Sequence, residues 1–517
     1  MQQFIGLRFG KPELDGITIV GCSLAADDIA LSLDDSSETN VSINEIGTDN
    51  SPTQDRAGYV GNNSISGLLP YTKYNYTATQ GANSVSGYFW TAPREADDFI
   101  LIPITCDNNN SIGGVPAGGY SHARKIAEAN PDKGVYFVHI DDHYGYSDLN
   151  QVNEGAFGSG HAVTGTNAQQ NALVYDYALS YFASFGLYSD QGNEYCTWGQ
   201  DEDRIWCMRN IPVLPQWGDH DTGQNEMGWL LSPSDLTGSP SPNTKFTNAT
   251  SVWNEFLKPL QGDNISVGTN AWSHKLGCVK IIAPDGITNG SGDGSATTKP
   301  TTVYGATQPA DIIAACDDTS VPFKIPVMNY GIRYLTPNAS TFQDGAQNPL
   351  GGNESHASPI AAHPEYEEIF TNNGGLMSLP SCNGEQGVLM TVHGDYHAAT
   401  VVRHQNSAGV HEEGFTSVNV GTINGSVNFE ANHINVGDVQ DGSTVELAES
   451  TYLNHDWWVV PFFVYGSRKL KEIEIHFHDR TESIIWDGKL TEKRGGNFAN
   501  RIDSDLVVDS SGGGSGI

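Results

Sequence analysis

Residues 213–226 read VLPQWGDHDTGQNE. The stretch begins as a buried strand and turns abruptly polar. After Val213, Leu214 and Trp217 come Asp219, His220 and Asp221, packed too densely to solvate or bury cheaply. Burying several ionisable groups at a strand end is costly unless a counter-charge compensates. A loop that merely turns the chain needs one Gly and one Asp. The reading of the whole chain depends on whether a metal supplies that counter-charge.

Three other apolar runs end in the same way. FILIPIT (99–105) runs into Cys106-Asp107, and GVYFVHI (134–140) into Asp141, Asp142, His143 and Tyr144. GVLMTVH (387–393) runs into Gly394-Asp395-Tyr396-His397. Continuous apolar runs of this length suit strands buried on both faces by helices. SHARKIAEANP (121–131) and NAQQNALVYDYALSYFASF (167–185) have helical spacing, with Leu173, Tyr177 and Tyr181 on one face of the second. The pattern predicts an α/β domain that presents ligands at the carboxyl ends of its strands.

Residues 1–95 differ. Tyr74 and Tyr76 alternate, as do Tyr88 and Trp90, with a turn at residues 81–83 between them. They predict a fibronectin III-like N-terminal β-sandwich closing at Pro93. The second domain would then span 98–505, with a flexible tail over 506–517. Residues 235–360 read as a loop-heavy stretch with CVKIIAPDG (278–286) as one strand. WWVVPFFVYG (457–466) and KEIEIHFHD (471–479) read as closing sheet.

Composition narrows the function. In 517 residues, 61 Asp+Glu against 26 Lys+Arg leave a formal charge of −35. Such a surface repels DNA, RNA and anionic lipid, which excludes nucleic acid as the main partner. It suits a saline or calcium-rich exterior, though solubility alone would also account for it. No run approaches 18 apolar residues, so no membrane span is expected. The N-terminus shows no signal-peptide pattern, and a secreted or periplasmic location is expected on charge alone. The seven cysteines include Cys196 and Cys207, spaced to pair around an exposed loop. The oligomeric state is not legible.

A single acid-rich turn after a strand is ordinary capping chemistry. Four in series are different. Two cations about 3.5 Å apart need a bridging carboxylate, further anionic or imidazole ligands, and an edge open to water. The order of Cys106, Asp141-x-x-Tyr144, Gly218-Asp219-His220-Asp221 and Gly394-Asp395-x-His397 resembles the calcineurin-type metallophosphoesterases. Within them it is most similar to the PhoD-like alkaline phosphatases and phosphodiesterases, with purple acid phosphatases as cousins. GLLPYTKYNYTA followed by GYFWTAP resembles that family's N-terminal strands, so the likeness runs to about residue 400.

The resemblance implies a metal-dependent phosphoric ester hydrolase for mono- or diesters, with a β-sandwich core flanked by helices. A metal-bound hydroxide would attack phosphorus in line. Asp141 would bridge both metals, Tyr144 and Cys106 would ligate an Fe(III), and Asp219 would hold a second ion. Calcium is the expected partner, with zinc or manganese as the other choices. Asp395 and His397 would complete the spheres. His220 would bind phosphoryl oxygens and protonate the leaving alkoxide. Small-molecule phosphate esters are the implied substrates.

Departures from the family pattern are visible. Ile140 precedes the bridging Asp where Gly is common, and Gly-Asp-His-Asp replaces Asp-Asp-His-Glu. The remaining metal ligand stays open among His274, His356 and His363, and the phosphate clamp between Asn225 and Arg209. No Gly-x-Ser-x-Gly elbow offers a serine nucleophile. The alternative is a calcium-binding extracellular protein on a degenerate phosphatase fold, which holds metal without turnover. A purely structural β protein leaves the strand-end clusters unexplained.

Overall fold

The structure is a computed structural model. It describes residues 5–23, 25–34, 37–46, 58–105, 118–140, 143, 178, 181–182, 184–187, 202–218, 221, 242–288, 303–329, 365, 367–371, 374–383, 386–394, 398–403, 416–421, 423, 439–440, 443–450 and 457–492.

The N-terminal strands are β1 (Ile5–Glu13), β2 (Gly16–Ser23), β3 (Ile29–Leu33), β4 (Glu38–Val41), β5 (Asn44–Ile46), β6 (Gly58–Ser66), β7 (Lys73–Gln80) and β8 (Asn83–Trp90). Next come β9 (Asp98–Thr105), β10 (Val135–Ile140), β11 (Val213–Gln216), β12 (Asp263–Asn264), β13 (Trp272–Leu276), β14 (Val279–Ala283), β15 (Phe323–Met328) and β16 (Val388–His393). The last are β17 (Ala398–Arg403), β18 (Thr416–Val420), β19 (Val439–Gln440), β20 (Ser443–Ser450), β21 (Phe462–Tyr465), β22 (Glu472–His478) and β23 (Ile484–Thr491).

Among the described residues these strands make three sheets. One has ten strands in the order β23-β22-β21-β9-β10-β11-β1-β2-β6-β5. A second has nine, β12-β13-β14-β15-β16-β18-β17-β20-β19, and a third four, β4-β3-β7-β8. The parallel set β9, β10 and β11 shares one sandwich with the parallel set β14, β15 and β16. Phe99, Leu101, Tyr136 and Val138 on one side belong to the same core as Val279, Ile325, Val327 and Val392 on the other.

The alternate residues Ile100, Ile102, Val135 and Phe137 face a different layer. They pack with Tyr120, Ala123 and Ile126 of helix Gly118–Ala129 and with Trp253 and Phe256 of helix Pro242–Phe256. Each central strand is therefore covered by a sheet on one face and helices on the other. That double burial is the physical origin of the unbroken apolar runs.

The N-terminal strands are joined to the rest of the fold. Ile5, Leu7, Phe9, Leu31, Tyr74 and Phe89 share a core of their own between β1-β2 and β3-β7-β8. A self-contained fibronectin III-like module is nevertheless not confirmed, because β1 pairs in parallel with β11 through Gly10 and Val213. The N-terminal strands thereby extend the central ten-stranded sheet. Gly10 permits the approach: a Cβ there would meet the Val213 carbonyl oxygen and lie 2.6 Å from Leu260 Cβ.

The stretch 235–360 also carries more order than its composition suggests, with a helix over Pro242–Phe256, strands β12 to β15 and a helix over Gln308–Cys316. Cys207 is buried, with Sγ 3.5 Å from the Tyr120 carbonyl oxygen, while Cys196 and the tail lie outside the described residues.

Candidate active site

Register brings the strand ends together. Thr105 stands opposite Ile140, and Ile140 opposite Gln216, so β9, β10 and β11 finish at one level. Gly394, directly after β16 in the facing sheet, presses into this edge. A Cβ on Gly394 would lie 2.5 Å from Thr105 Oγ1 and 2.8 Å from Ile140 Cγ2. Its N–H donates to the Met328 carbonyl at 3.2 Å, which ties it to the end of β15. The residues that precede Cys106, Asp141 and Asp395 in sequence are thus mutual neighbours across two sheets.

The end of β11 is anchored to the same edge. Gln216 Nε2 donates to the carbonyls of Pro284 at 2.7 Å and Val327 at 2.9 Å, just past β14 and within β15. Asn329 Nδ2 donates to the Trp217 carbonyl at 2.6 Å. These amides satisfy backbone acceptors at a buried seam between the sheets, which fixes where the chain leaves for Asp219.

Asp221 has a role that composition did not reveal. Its Oδ2 accepts from Gly218 N at 2.9 Å and from His143 Nδ1 at 2.8 Å. Its Oδ1 accepts from His143 N at 3.1 Å and the Tyr181 hydroxyl at 3.4 Å. Both side chains of the His143–Asp221 pair are 0% exposed. The carboxylate therefore closes its own turn and clamps the loop after β10. His139 lies beside it, its ring 4.0 Å from that of His143, and Trp253 meets His143 edge-on at 5.2 Å. No hydrogen-bond partner of His143 Nε2 is found among the described residues.

Two expected candidates are accounted for by the fold. His274 donates Nε2–H to the Pro12 carbonyl at 2.8 Å from the middle of β13. Burial lowers its pKa to about 4, leaving a neutral imidazole that joins β13 to β1. Arg209 lies before the amino end of β11, at the pole away from the strand ends, with Nη2 3.4 Å from the Ile5 carbonyl oxygen. That placement argues against a phosphate clamp. Cys106, Asp141, Asp142, Tyr144, Asp219, His220, Asn225, His356, His363, Asp395 and His397 lie outside the described residues.

Among the described residues no three His, Cys, Asp or Glu side chains are grouped to hold a metal, and no helix is long and apolar enough to cross a membrane. The fit of a metal pair rests instead on donor chemistry. Carboxylate, phenolate, thiolate and imidazole residues follow in sequence on this converging edge, and these are donor types that a cation pair takes.

No protein-family model and no curated protein matches the sequence. Among solved structures, the one titled "Structure of PhoD" superposes with a TM-score of 0.60 at 11% identity, over 98% of this chain and 92% of that one. A β-glucuronidase 2 of Bacteroides uniformis reaches a TM-score of only 0.22 at 9% identity, over 95% of this chain and 61% of that one, and supports no argument. At such identity the first likeness concerns architecture alone, and it spans both the N-terminal strands and the central sandwich. The chain has a PhoD-like α/β fold.

Proposed function

We propose that this protein is a metal-dependent phosphoric ester hydrolase acting on small-molecule phosphate mono- or diesters. The contact of Gly394 with Thr105 and Ile140 supports the reading, because each of these three neighbouring residues is followed in sequence by an acid or a thiol. Asp141, Asp219, Asp395 and His397, with Cys106 and Tyr144, would hold two cations there. A bound pair of this kind lowers the pKa of water from about 15.7 to about 7 and neutralises charge on a phosphoryl group.

The chain's own groups do the rest. His220 donates a proton to the departing alkoxide, and Asn225 orients a phosphoryl oxygen. Asp221 and His143 hold together the loops after β10 and β11, and this pairing would support His220 in that role. The charge of −35 gives no long-range attraction for anionic esters, so attraction must be local to the cations. It also fits an exported protein in a saline medium.

The test is metal content measured beside hydrolysis of nitrophenyl phosphate and bis-nitrophenyl phosphate. Turnover that requires bound metal supports the reading. Stoichiometric calcium with no turnover of either ester would replace it with a calcium-binding role. His220→Ala should lose roughly 10²- to 10⁴-fold with a poor leaving group and much less with nitrophenol, which departs without a proton.

A further inference from the structure

At the pole opposite these strand ends, two cysteines stand together. Cys316 closes helix Gln308–Cys316 ahead of the amino end of β15, and Cys382 lies just ahead of the amino end of β16. Both are buried and reduced. Cys382 Sγ is 3.6 Å from the Cys316 carbonyl oxygen, and the next pair along, Ser381 Oγ and Asp317 Oδ1, is hydrogen-bonded at 3.0 Å. The segments are clipped at two adjacent points.

Lys324 of β15 is fully buried beside them, its ammonium donating to the Val321 carbonyl. A buried ammonium favours a neighbouring anion. The Cys316 thiol donating to Cys382, then Ser381 and Lys324, hold the Cys382 thiol below its ordinary value against the effect of burial. The same bond, with burial, pushes Cys316 well up. Cys382 Sγ–H donates to the Cys316 carbonyl oxygen, and once that proton is lost the sulfur is a nucleophile for thiol–disulfide exchange with Cys316 beside it.

We propose that Cys316 and Cys382 are an oxidisable pair that closes to a structural disulfide when the chain meets a small-molecule disulfide such as oxidised glutathione. The Cys382 thiolate attacks one glutathione sulfur, forming a mixed disulfide and releasing one glutathione thiolate. Cys316 then loses its proton and attacks the Cys382 sulfur, and the second glutathione leaves. The dithiol gives up two electrons and two protons, and one oxidised glutathione becomes two reduced. The bond would cross-link the approaches to β15 and β16 far from the reaction edge, and so acts on stability. It does not depend on the hydrolase reading.

The experiment refolds reduced protein from guanidinium in a glutathione redox buffer. Thiols are then titrated under denaturing conditions and tryptic fragments mapped without reduction. Two thiols should disappear, a fragment should join Cys316 to Cys382, and the guanidinium midpoint should rise above that of the reduced form. In the chain-entropy model a loop of this length disfavours unfolding of the unit it spans by up to about 10³-fold. Cys316→Ser should abolish the linked fragment and leave Cys382 free or as a glutathione adduct. Persistence of both thiols in the refolded protein, or a link from either to another cysteine, overturns the proposal. The same mapping on protein never unfolded gives the answer where refolding fails.

Discussion

The Asp221 carboxylate binds His143 Nδ1 at 2.8 Å and the Gly218 N–H at 2.9 Å, so one buried acid holds the loops after β10 and β11 together. Asp221→Ala would leave the His143 ring, its backbone N–H and the Gly218 N–H without that acceptor. Removing one member of a buried pair costs about 3–5 kcal/mol. The guanidinium midpoint should fall accordingly, and ester hydrolysis should drop as the loops lose register. Asp221→Asn keeps one acceptor and should retain more of both. Equal stability of Asp221→Ala and the parent would remove Asp221 from its positioning role.

Gly394 admits no side chain without moving Thr105 or Ile140, at 2.5 and 2.8 Å from a Cβ. Gly394→Ala should destabilise by about 1–3 kcal/mol, the usual result of overpacking, and reduce turnover more than binding. Thr105→Ala removes the nearer atom, so the double variant should recover part of the loss. Additive losses, measured by denaturation of all four proteins, would mean that the contact does not set the edge.

What the sequence makes legible follows from physics that acts on one strand at a time. Residues 99–105, 134–140 and 387–393 are mostly apolar because both faces are buried, and that is visible in one dimension. Whether a helix or a sheet does the covering leaves no mark on the run itself. The joining of β1 to β11 rests on Gly10 and Val213, which no local pattern links. Asp221 reads as one more acid in an acid-rich turn, since a carboxylate that faces a metal and one that faces His143 look alike in sequence. The short strands β12 to β14 carry too few residues for their period to emerge from Gly- and Asn-rich surroundings.

His274 gives a pH signature. Burial lowers its pKa from 6.5 to about 4, so the folded protein resists a proton that the unfolded chain accepts. Above pH 6.5 neither state binds it and there is no linkage. As pH falls from 6.5 towards 4 the unfolded state gains the proton first and stability is lost; below 4 the loss is complete. His122, lowered to about 4 by burial and by His478, acts in the same direction. His274→Gln should therefore show a shallower fall in guanidinium midpoint between pH 7 and 5 than the parent. An unchanged slope would show that His274 titrates normally.

Asp141 and Asp142 should separate cleanly. One carboxylate spanning two cations has no substitute, so Asp141→Asn should lose at least about 10³-fold in hydrolysis. Within a strand successive residues point to opposite sides; if that alternation continues past Ile140, Asp142→Asn should keep most activity. Comparable losses in both variants would mean that the bridging position is misassigned by one residue.

Tyr144 and Cys106 test which metals are present. Phenolate and thiolate together favour a trivalent iron, while the carboxylates suit a harder divalent ion such as calcium. The purified protein should then be coloured by ligand-to-metal charge transfer, and Tyr144→Phe should shift or bleach the band. Chelation should strip the labile divalent ion first, halting hydrolysis while colour persists, and added calcium should restore turnover. A colourless protein fully active with zinc or manganese alone would rule out iron. Tyr144 and Cys106 would then serve packing or orientation, and the hydrolase assignment would stand on the carboxylates and His397.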